Sequence, residues 1–580
     1  MRTLVFKRDL CLACRSCELA CSTVHSQSGR LETAIDEDAP PRRRVELAAG
    51  KNGVEALRCE QCVDPLCVFA CKSGAIRRDW ASGRTVFDES RCLGCYMCLT
   101  VCPSGIRPDA ARHTVVRCDV CAALELPACV AACPTGALDS AERPVERARS
   151  GFKGHVVVVG SSAAGVAACE AARELAPECS ITLITADDTA VYSRPLLPYL
   201  LSGAAQRPAL AWRGADYVTE TLKVRIMVGR SARGLKSEAG TLLLDDGTEL
   251  PFDRLIVATG ARAAALSIPG ATFGGVFSFR DLSDLEEIER LAQPGRRAVV
   301  LGGGNVGMQA CEALLARGLR ATVVVASAHL LSQMVDAEAG RRVAELFARH
   351  GLEIRTGCEA VAIEGDGRVS GVRLDNGEFL DADVVVVGKG IQPNVEWLAG
   401  SAVQVGRGVV TDLCGRTSVP HIFAAGDCAE VLDPLTGRAA ISGIWPVAYE
   451  MGRAAGAAAV GVERPGGGAL RMNAARFFGV PIVSIGEVHE QRLTGASAQV
   501  LVCGSDVYRK LVYREGRLAG ALLVGDISGA GIFYRLYRGA VELGEGIAVE
   551  LQEENERWVL GPLVHDFSTA PAGSGERCPE

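Results

Sequence analysis

Blocks of basic residues and uninterrupted apolar runs are both missing from this sequence of 580 residues. The net charge of −7, without a long run of Lys and Arg, argues against nucleic acid or an anionic membrane as the main partner. The most apolar stretches, Val156–Cys169 and Ala298–Leu315, are broken by glycine-rich turns and fall short of the ~20 residues that a membrane span needs. We therefore expect protein and small-molecule partners.

The first residues also lack the basic and apolar segments of an export signal, because Met1–Phe6 runs directly into charged residues. Sixteen of the 24 cysteines lie between Cys11 and Cys133. A reducing cytosol would not maintain a disulfide framework there. We expect a cytoplasmic protein whose clustered thiols bind metal.

The sixteen cysteines form an internal repeat of four runs with four members each. The runs are Cys11, Cys14, Cys17, Cys21; Cys59, Cys62, Cys67, Cys71; Cys92, Cys95, Cys98, Cys102; and Cys118, Cys121, Cys129, Cys133. The first and third read C-x2-C-x2-C-x3-C, the spacing of bacterial ferredoxins, in which the fourth cysteine ligates the other cluster. Zinc knuckles are the alternative, but zinc needs only four thiolates per site and gains nothing from the third cysteine of a run.

These runs resemble the four-cluster ferredoxin subunits that serve molybdenum or tungsten oxidoreductases and carbon monoxide dehydrogenase, over about residues 1–140. The resemblance implies four [4Fe-4S] clusters and pairing of the first run with the fourth and the second with the third. The implied ligand sets are Cys11, Cys14, Cys17 with Cys133; Cys118, Cys121, Cys129 with Cys21; Cys59, Cys62, Cys67 with Cys102; and Cys92, Cys95, Cys98 with Cys71. Ser22 and Lys72 replace a proline that is frequent in ferredoxins, but both follow complete runs.

Two glycine-rich loops each separate an apolar run from an Ala-rich helical segment, as phosphate binding at a helix N-terminus requires. The first loop contains Gly160, Ser162, Ala163, Ala164 and Gly165. Ser162 replaces the glycine that admits a pyrophosphate. The second loop is intact and contains Gly302, Gly304, Asn305, Val306 and Gly307. An ordinary tight turn would explain either loop alone, whereas their joint presence favours two dinucleotide sites.

Three further motifs resemble the pyridine nucleotide-disulfide oxidoreductase superfamily over about residues 154–460. They are Ala258-Thr259-Gly260, Gly390-Ile391-Gln392-Pro393-Asn394 and Ile422-Phe423-Ala424-Ala425-Gly426-Asp427. The resemblance implies that the first loop binds FAD, that the second binds NAD(P)H, and that Asp427 contacts the FAD ribityl chain. The acid expected on the adenosine ribose is either Asp187 or missing.

The stretch Tyr192–Pro198, with Arg194 and Pro195, further resembles rubredoxin reductases, NADH oxidases and the flavin part of nitrite reductase. The resemblance implies that this stretch borders the flavin ring. Tyr199 falls where several relatives have a flavin-facing lysine. The C-terminal part, with Asn473–Gly486 and Tyr508–Asp526, resembles the last domain of the same proteins.

Neither a C-x4-C pair after the first loop nor any cysteine between Cys179 and Cys311 is present. A disulfide reductase or a cysteine-sulfenate oxidase would need one there to accept electrons from the flavin. Val325 and Ala326, at the end of the strand after the second loop, provide neither an acid for NADH nor an arginine for NADPH. The resemblance favours NADH, and NADPH stays open.

Together these features predict an α/β protein with an N-terminal ferredoxin-like α+β domain, two Rossmann-type domains and a small C-terminal α/β domain. The predicted divisions are 1–140 for the clusters, 141–153 for a linker, 154–290 with 380–465 for FAD, 291–379 for NAD(P), 466–562 for the C-terminal domain and 563–580 for a disordered tail.

The expected function follows from electron counting, because FAD links a two-electron donor to one-electron clusters. We predict an FAD-dependent NAD(P)H:acceptor oxidoreductase without a catalytic side chain. It would exchange electrons with a partner metalloenzyme such as a tungsten or molybdenum aldehyde oxidoreductase, a carbon monoxide dehydrogenase or a hydrogenase. Two alternatives stay open: a self-contained reductase of a small molecule such as a sulfur species, and a redox adaptor or sensor.

Overall fold

The computed structural model describes residues 1–38, 41–50, 53–79, 82–109, 111–143 and 149–539. The predicted tail, 563–580, lies outside the described residues, as do part of the predicted linker and the end of the predicted C-terminal domain. In the described part of the chain, no helix is both long and apolar enough to cross a bilayer.

The cysteine-rich part consists of antiparallel strand pairs and short helices. The pairs are Arg2–Phe6 with Leu138–Glu142, Glu46–Gly50 with Gly53–Leu57, Ile76–Arg78 with Thr85–Phe87, and Ile106–Asp109 with Thr114–Arg117. The helices are Ser16–Val24, Leu31–Ala34, Leu66–Ala70, Met97–Thr100 and Ala128–Ala131. In each cysteine run the third member is the second residue of a short helix. The first strand pair joins the two ends of this part, because Arg2 lies opposite Glu142.

A parallel sheet of five strands, called here the first sheet, follows. Its strand order is Arg225–Val228, Ser180–Thr185, His155–Val159, Arg254–Val257 and Ile422–Ala424. The central strand is a continuous Val run that is buried on both faces, as expected for a parallel sheet covered by helices. The helices Ala163–Leu175 and Trp445–Ala459 pack closely against each other on this sheet.

A second parallel sheet has the strand order Val276–Phe277, Val384–Val387, Arg297–Leu301, Arg320–Val325 and Glu353–Thr356. Its helices are Leu282–Leu291, Asn305–Ala316 and Ala337–Arg349. This sheet draws on residues 276–387, a span wider at both ends than the predicted 291–379. Each parallel sheet carries a small antiparallel one: Ala232–Lys236, Thr241–Leu244 and Glu249–Pro251 in the first case, and Ala360–Gly365, Val369–Leu374 and Phe379–Asp381 in the second.

The C-terminal part forms an antiparallel sheet followed by the helix Ala530–Gly539. Its strand order is Met472–Phe477, Val480–Gly486, Arg517–Val524, Tyr508–Arg514 and Ala496–Cys503. Tyr508 and Lys510 donate hydrogen bonds to Asp336 at 2.7 and 3.1 Å, which attaches this sheet to the second one. On the other side, a Cβ on Gly531 would lie 2.0 Å from the Cys102 carbonyl oxygen. The C-terminal part therefore contacts both the second sheet and the cysteine-rich part.

Two of the buried cores show how the cysteine-rich part is attached. One core contains Cys71 and Cys98 together with the central Val strand of the first sheet. The other contains Cys17, Cys21, Cys118 and Cys129 and consists of residues from the cysteine-rich part alone. The cysteine-rich part thus has one end embedded in the rest of the protein and one end outside it.

Candidate functional site

All cysteines in the described ranges are free of disulfide bonds. Cys11, Cys14, Cys17 and Cys133 line one small, partly open cavity, with Pro134 and Leu12 beside them. These four residues come from the first run and the end of the fourth. The structure therefore brings together the members of one ligand set that the ferredoxin resemblance implies.

The other thiols are grouped in the same way by their electrostatic neighbours. Burial raises the pKa of Cys67 well above its ordinary value, and the nearby charges of Cys102 and Cys59 add to that rise. Burial, followed by Cys71 and the other members of the third run, raises the pKa of Cys98 well above its ordinary value.

The fourth run has a neighbour from the first. Burial, followed by the charges of Cys21 and Cys121, raises the pKa of Cys129 to about 12. Such buried thiols hold their protons unless a cation replaces them, and iron supplies that positive charge to thiolate ligands. The donor set therefore fits iron-sulfur clusters.

Hydrogen bonds to sulfur add to this fit, because they stabilise charge on cluster thiolates. Backbone N–H groups donate to the Sγ atoms of Cys71 at 3.2 Å, Cys118 at 3.3 Å and Cys133 at 3.4 Å. The buried Arg117 guanidinium donates to Cys59 Sγ at 3.2 Å. Sequence reasoning did not single out Arg117, since nothing in its spacing distinguishes it from other arginines.

His25 is a second residue near the thiols that the cysteine spacing does not reveal. Its ring contacts the Cys21 carbonyl oxygen at 2.7 Å and Asp119 at 3.3 Å. Burial disfavours the charged ring, but hydrogen bonds to Asp119, Cys121 and Cys21 raise the pKa of His25 to about 11. The ligand atoms of His25, Asp119 and Cys121 lie within 4.8 Å of one another. Because Cys121 belongs to a cysteine run, we interpret this group as the surroundings of that run rather than as a separate metal site.

The first glycine-rich loop lies between the central strand of the first sheet and the helix Ala163–Leu175. Gly160 has a φ of +115°, and a Cβ on Gly165 would lie 1.7 Å from the Gly160 carbonyl oxygen. Ser162 directly precedes the helix, whose first N–H groups lack helical partners and can bind phosphate. The loop is thus shaped for the close approach of a dinucleotide.

Asp427 lies next to this loop, although the two are far apart in sequence. A Cβ on Gly426 would lie 2.8 Å from Ala164 Cβ, so the Gly426–Asp427 turn packs directly on the loop. Arg280 donates hydrogen bonds to Asp427 Oδ2 at 3.0 Å and to the Ala261 carbonyl oxygen at 2.6 Å. Arg280 belongs to no motif, and sequence reasoning missed it.

Asp187 and Arg194, predicted separately, form an ion pair of 2.5 Å beyond the end of the strand Ser180–Thr185. Burial raises the pKa of Asp187, and the Arg194 charge opposes that rise. Arg194 also donates to the Arg280 carbonyl oxygen at 3.3 Å. The two acids Asp187 and Asp427 therefore belong to one polar rim, joined through Arg194 and Arg280.

Two hydroxyl groups on this rim have capacity left for a ligand. Ser193 Oγ and Ser442 Oγ are buried and have no hydrogen-bond partner in the described part of the chain. Ser193 precedes Arg194 and Pro195, and Ser442 precedes Gly443, where a Cβ would lie 3.9 Å from Asp427 Oδ2. Burying a hydroxyl group without a hydrogen-bond partner costs free energy. These two oxygens therefore fit hydrogen bonding to a bound polar cofactor such as FAD.

The segments Ala258-Thr259-Gly260 and Gly390–Asn394 cross between the two parallel sheets. Thr259 Oγ1 donates to the Asn394 carbonyl oxygen at 2.7 Å, and the Asn394 amide donates back to the Thr259 carbonyl oxygen at 3.1 Å. Gly260 and Gly390 have φ values of +64° and +106°. These predicted residues fix the crossing of the two chain segments.

The second loop connects the strand Arg297–Leu301 to the helix Asn305–Ala316. A Cβ on Gly307 would lie 1.9 Å from the Gly302 carbonyl oxygen, whereas the space beside Gly304 is open for at least 4 Å. Asn305 Oδ1 is buried without a partner among the described residues, and Val306 is half exposed. The open side of Gly304 and the free Asn305 oxygen fit a nucleotide at the helix N-terminus.

Three family models match parts of this chain. The chain matches family models described as pyridine nucleotide-disulphide oxidoreductase over residues 154–452, 4Fe-4S dicluster domain over 53–143 and rubredoxin NAD+ reductase C-terminal domain over 472–538. The last match accounts for the C-terminal sheet.

Three similar proteins cover much of the chain. This chain is 30% identical to a nitrite reductase [NAD(P)H] of Bacillus subtilis. The match covers 72% of this chain but only 50% of that enzyme. The chain is also 30% identical to the NADH-dependent phenylglyoxylate dehydrogenase subunit epsilon of Aromatoleum evansii, over 72% of this chain and 96% of that subunit. A NAD-dependent persulfide reductase from A. fulgidus is 25% identical, with a TM-score of 0.62 over 67% of this chain and 77% of the other.

The family assignment follows from the first model, which covers just over half of the chain, and from the relative that the chain matches over 96% of its length. It brings with it the mixed α/β fold, FAD and NAD(P)H. The second model adds 4Fe-4S electron transfer in the cysteine-rich part. The chain belongs to the pyridine nucleotide-disulphide oxidoreductase family, as an iron-sulfur flavoprotein that uses NAD(P)H.

Proposed function

We propose that this protein transfers electrons between NAD(P)H and a partner metalloenzyme through one FAD and four [4Fe-4S] clusters. One observation carries the proposal: Cys71 and Cys98 lie in the same buried core as the central strand of the first sheet. Single-electron transfer requires carriers close to the flavin, and this core attaches the cysteine-rich part directly to the FAD side of the protein.

We propose the four ligand sets that the ferredoxin resemblance implies, with residues 1–140 as a ferredoxin-like domain. The shared cavity of Cys11, Cys14, Cys17 and Cys133 and the thiol neighbours of the other sets support them. The NAD(P) domain is proposed at 276–387, the span of the second sheet, and the FAD domain on both sides of it, at 154–275 with 388–465.

When bound, FAD exchanges electron pairs with NAD(P)H and single electrons with clusters. Oxidation of one NAD(P)H to NAD(P)+ would release one proton and two electrons, and two oxidised clusters held by the cysteine runs would each take up one of these electrons. The chain's own residues bind and orient the two nucleotides. Asp427 and Arg280 hold one side of the FAD site, and the second loop holds the pyrophosphate of NAD(P)H at a helix N-terminus.

The proposed partner is a redox metalloenzyme such as a tungsten or molybdenum aldehyde oxidoreductase, a carbon monoxide dehydrogenase or a hydrogenase. The A. evansii relative is named as one subunit of an NADH-dependent dehydrogenase. That name supports a role as the subunit that connects a dehydrogenase to a nicotinamide nucleotide. It also supports NADH as the preferred nucleotide here.

A second candidate function is reduction of a small sulfur compound, which the similarity to a persulfide reductase favours. Cys428 is the cysteine next to Asp427, but it is fully buried and its thiol donates to the Val257 and Ala425 carbonyl oxygens. Burial also raises the pKa of Cys428, which disfavours a reactive thiolate. These observations favour the relay over this alternative.

Anaerobic reduction with NADH tests the relay. Purified holoprotein is expected to contain about 16 irons per chain. NADH should bleach the flavin absorbance first and the iron-sulfur absorbance afterwards, and the reduced protein should pass electrons to a viologen dye. Asn305→Leu, which removes the unpaired oxygen from the second loop, should slow flavin bleaching by NADH but not by dithionite. The relay is refuted if the wild-type flavin bleaches while the iron-sulfur absorbance stays oxidised.

A further inference from the structure

Lys72 connects the cysteine-rich part to the FAD side of the protein through an unusual contact. It directly follows Cys71, and its side chain is almost fully buried. Its ammonium nitrogen lies 3.4 Å from Tyr199 Oη and 4.8 Å from the centre of the Tyr199 ring. A buried ammonium on an aromatic face is an attractive interaction of the cation–π type.

Tyr199 is attached to the polar rim of the FAD site. It lies on the helix Leu197–Leu201, directly after the short helix Arg194–Leu196. Arg194 pairs with Asp187, and its bond to the Arg280 carbonyl oxygen links it to the residue that holds Asp427. Lys72 thus contacts a helix that continues directly from the chain segment carrying Arg194.

The loop after Cys71 also packs closely against the same side of the first sheet. A Cβ on Gly74 would lie 2.4 Å from the Trp212 carbonyl oxygen. The Trp212 ring packs edge-on against Trp445 with centroids 5.0 Å apart, and Trp445 opens the helix Trp445–Ala459. Arg91 adds a hydrogen bond of 2.8 Å to the Ala211 carbonyl oxygen. The contact of Lys72 is thus part of a packed boundary rather than an isolated one.

The four thiol groups follow one another away from this boundary. Cys98 of the third run has Cys67 of the second among its neighbours, Cys118 of the fourth has Cys59 of the second, and Cys129 of the fourth has Cys17 of the first. The two cores give the same order: Cys71 and Cys98 lie with the first sheet, and Cys17 and Cys129 lie in the separate outer core. Cys14, in the group farthest along this order, is exposed.

We infer that electrons cross between the flavin and the cluster row at the Cys71 loop, with Lys72 as the positioning residue at the crossing. The inference rests on the proposed relay. The first cluster of the row is then the one held by Cys92, Cys95, Cys98 and Cys71. The Lys72 charge favours the electron-rich forms on both sides of the crossing, because interactions with a buried charge are weakly screened.

Redox potentiometry followed by EPR and visible spectroscopy on the anaerobic holoprotein tests this inference. Lys72→Met is expected to make the flavin and a single cluster harder to reduce, by about tenfold in each one-electron equilibrium constant, or about 59 mV. The other cluster signals should keep their potentials. Lys72→Arg should behave like the wild type, and Tyr199→Phe should shift the potentials less than Lys72→Met, because it keeps the ring beneath the charge.

Lys7→Met is the matched control, since Lys7 lies in the same part of the chain but is half exposed and pairs with Asp139 at 3.1 Å. It should leave the flavin potential unchanged. FAD and iron contents, compared with those of Lys72→Arg, separate a folding defect from a local effect. The inference is overturned if Lys72→Met leaves every potential unchanged, or shifts the potentials of several clusters equally, while NADH still reduces the clusters of the wild-type protein. If NADH does not reduce the clusters of the wild-type protein, the proposed relay itself is refuted.

Discussion

Single cysteines carry the chemistry of residues 11–133, and the role of each depends on which three other cysteines bind the same cluster. Cys133 closes the fourth run in sequence, but it lines the cavity of Cys11, Cys14 and Cys17. Exchange of the last cysteine between runs is the arrangement of two-cluster ferredoxins. Which run supplies the fourth ligand of each cluster can therefore be measured by substituting single cysteines.

Double substitutions test this pairing by iron content and EPR. Cys11→Ala and Cys133→Ala should each remove one cluster, or about four of about 16 irons, and their combination should still remove only one. Cys118→Ala with Cys133→Ala should remove two. Cys503→Ala, at an exposed scattered cysteine, is the control and should keep the full content. The reverse result for the two double variants would mean that each run holds its own cluster.

The pair of Asp427 and Arg280 gives a second prediction at this scale. Asp427→Ala removes an acceptor from the proposed FAD site and leaves the partly buried Arg280 without its carboxylate partner. Hydrogen bonds to charged groups contribute about 1.5–3 kcal/mol, so FAD should bind roughly 10- to 150-fold more weakly. FAD binding to the apoprotein measures this. Asp246→Ala breaks a surface pair with Arg230 of 2.8 Å and should leave FAD affinity unchanged.

At the scale of elements, the helices Ala163–Leu175 and Trp445–Ala459 approach each other unusually closely. A Cβ on Gly452 would lie 2.1 Å from the Ala164 carbonyl oxygen, and one on Gly456 would lie 2.3 Å from the Ala168 carbonyl oxygen. Glycines thus allow backbone contact between the helix that follows the first glycine-rich loop and the helix that contacts the cysteine-rich part. Their spacing fixes both elements on one side of the first sheet.

Gly456→Ala should push these helices apart, since its methyl group meets backbone rather than a movable side chain. Overpacking of this kind costs about 1–3 kcal/mol. We expect FAD release, followed by flavin fluorescence on heating, at a lower temperature than in the wild type. Gly214→Ala, where a Cβ meets nothing within 4 Å, should release FAD at the wild-type temperature. Equal release temperatures for the two variants would contradict the close approach.

At the scale of the whole molecule, one core spans the cysteine-rich part and the first sheet. Phe69, on the helix Leu66–Ala70, stacks on Tyr449 with ring centroids 5.0 Å apart. Tyr449 in turn contacts Trp212 edge-on at 5.8 Å. Parts that share a core are expected to unfold together, and this boundary is the one that electrons must cross in the proposed relay.

Phe69→Ala should separate two transitions that coincide in the wild type. Loss of a buried Phe ring costs about 3–5 kcal/mol, and here the loss falls on the boundary. Heating under anaerobic conditions should then bleach the iron-sulfur absorbance before FAD is released. Phe379→Ala, at a partly exposed ring in a small antiparallel sheet, is the control. Coincident transitions in Phe69→Ala would contradict this role of the shared core.

Local pattern was sufficient for much of this protein. The apolar runs and the glycine-rich loops predicted a strand before each loop, found as His155–Val159 and Arg297–Leu301, a helix after each loop, and the cofactors FAD and NAD(P)H. The cysteine spacing predicted the iron-sulfur character. These features depend on neighbours within a few residues, because strand alternation, loop closure and thiol spacing are local properties of a chain. The family followed from them.

Tertiary structure alone decided which distant residues meet. The partners of Lys72 and Asp427 lie 127 and 147 positions away, and no periodicity connects them. The same holds for two strands at one side of the second sheet, Val276–Phe277 and Val384–Val387, which lie outside the predicted NAD(P) range. Contacts of this kind arise when separate elements bury a common core, so they depend on the packing of the whole chain rather than on any segment of it.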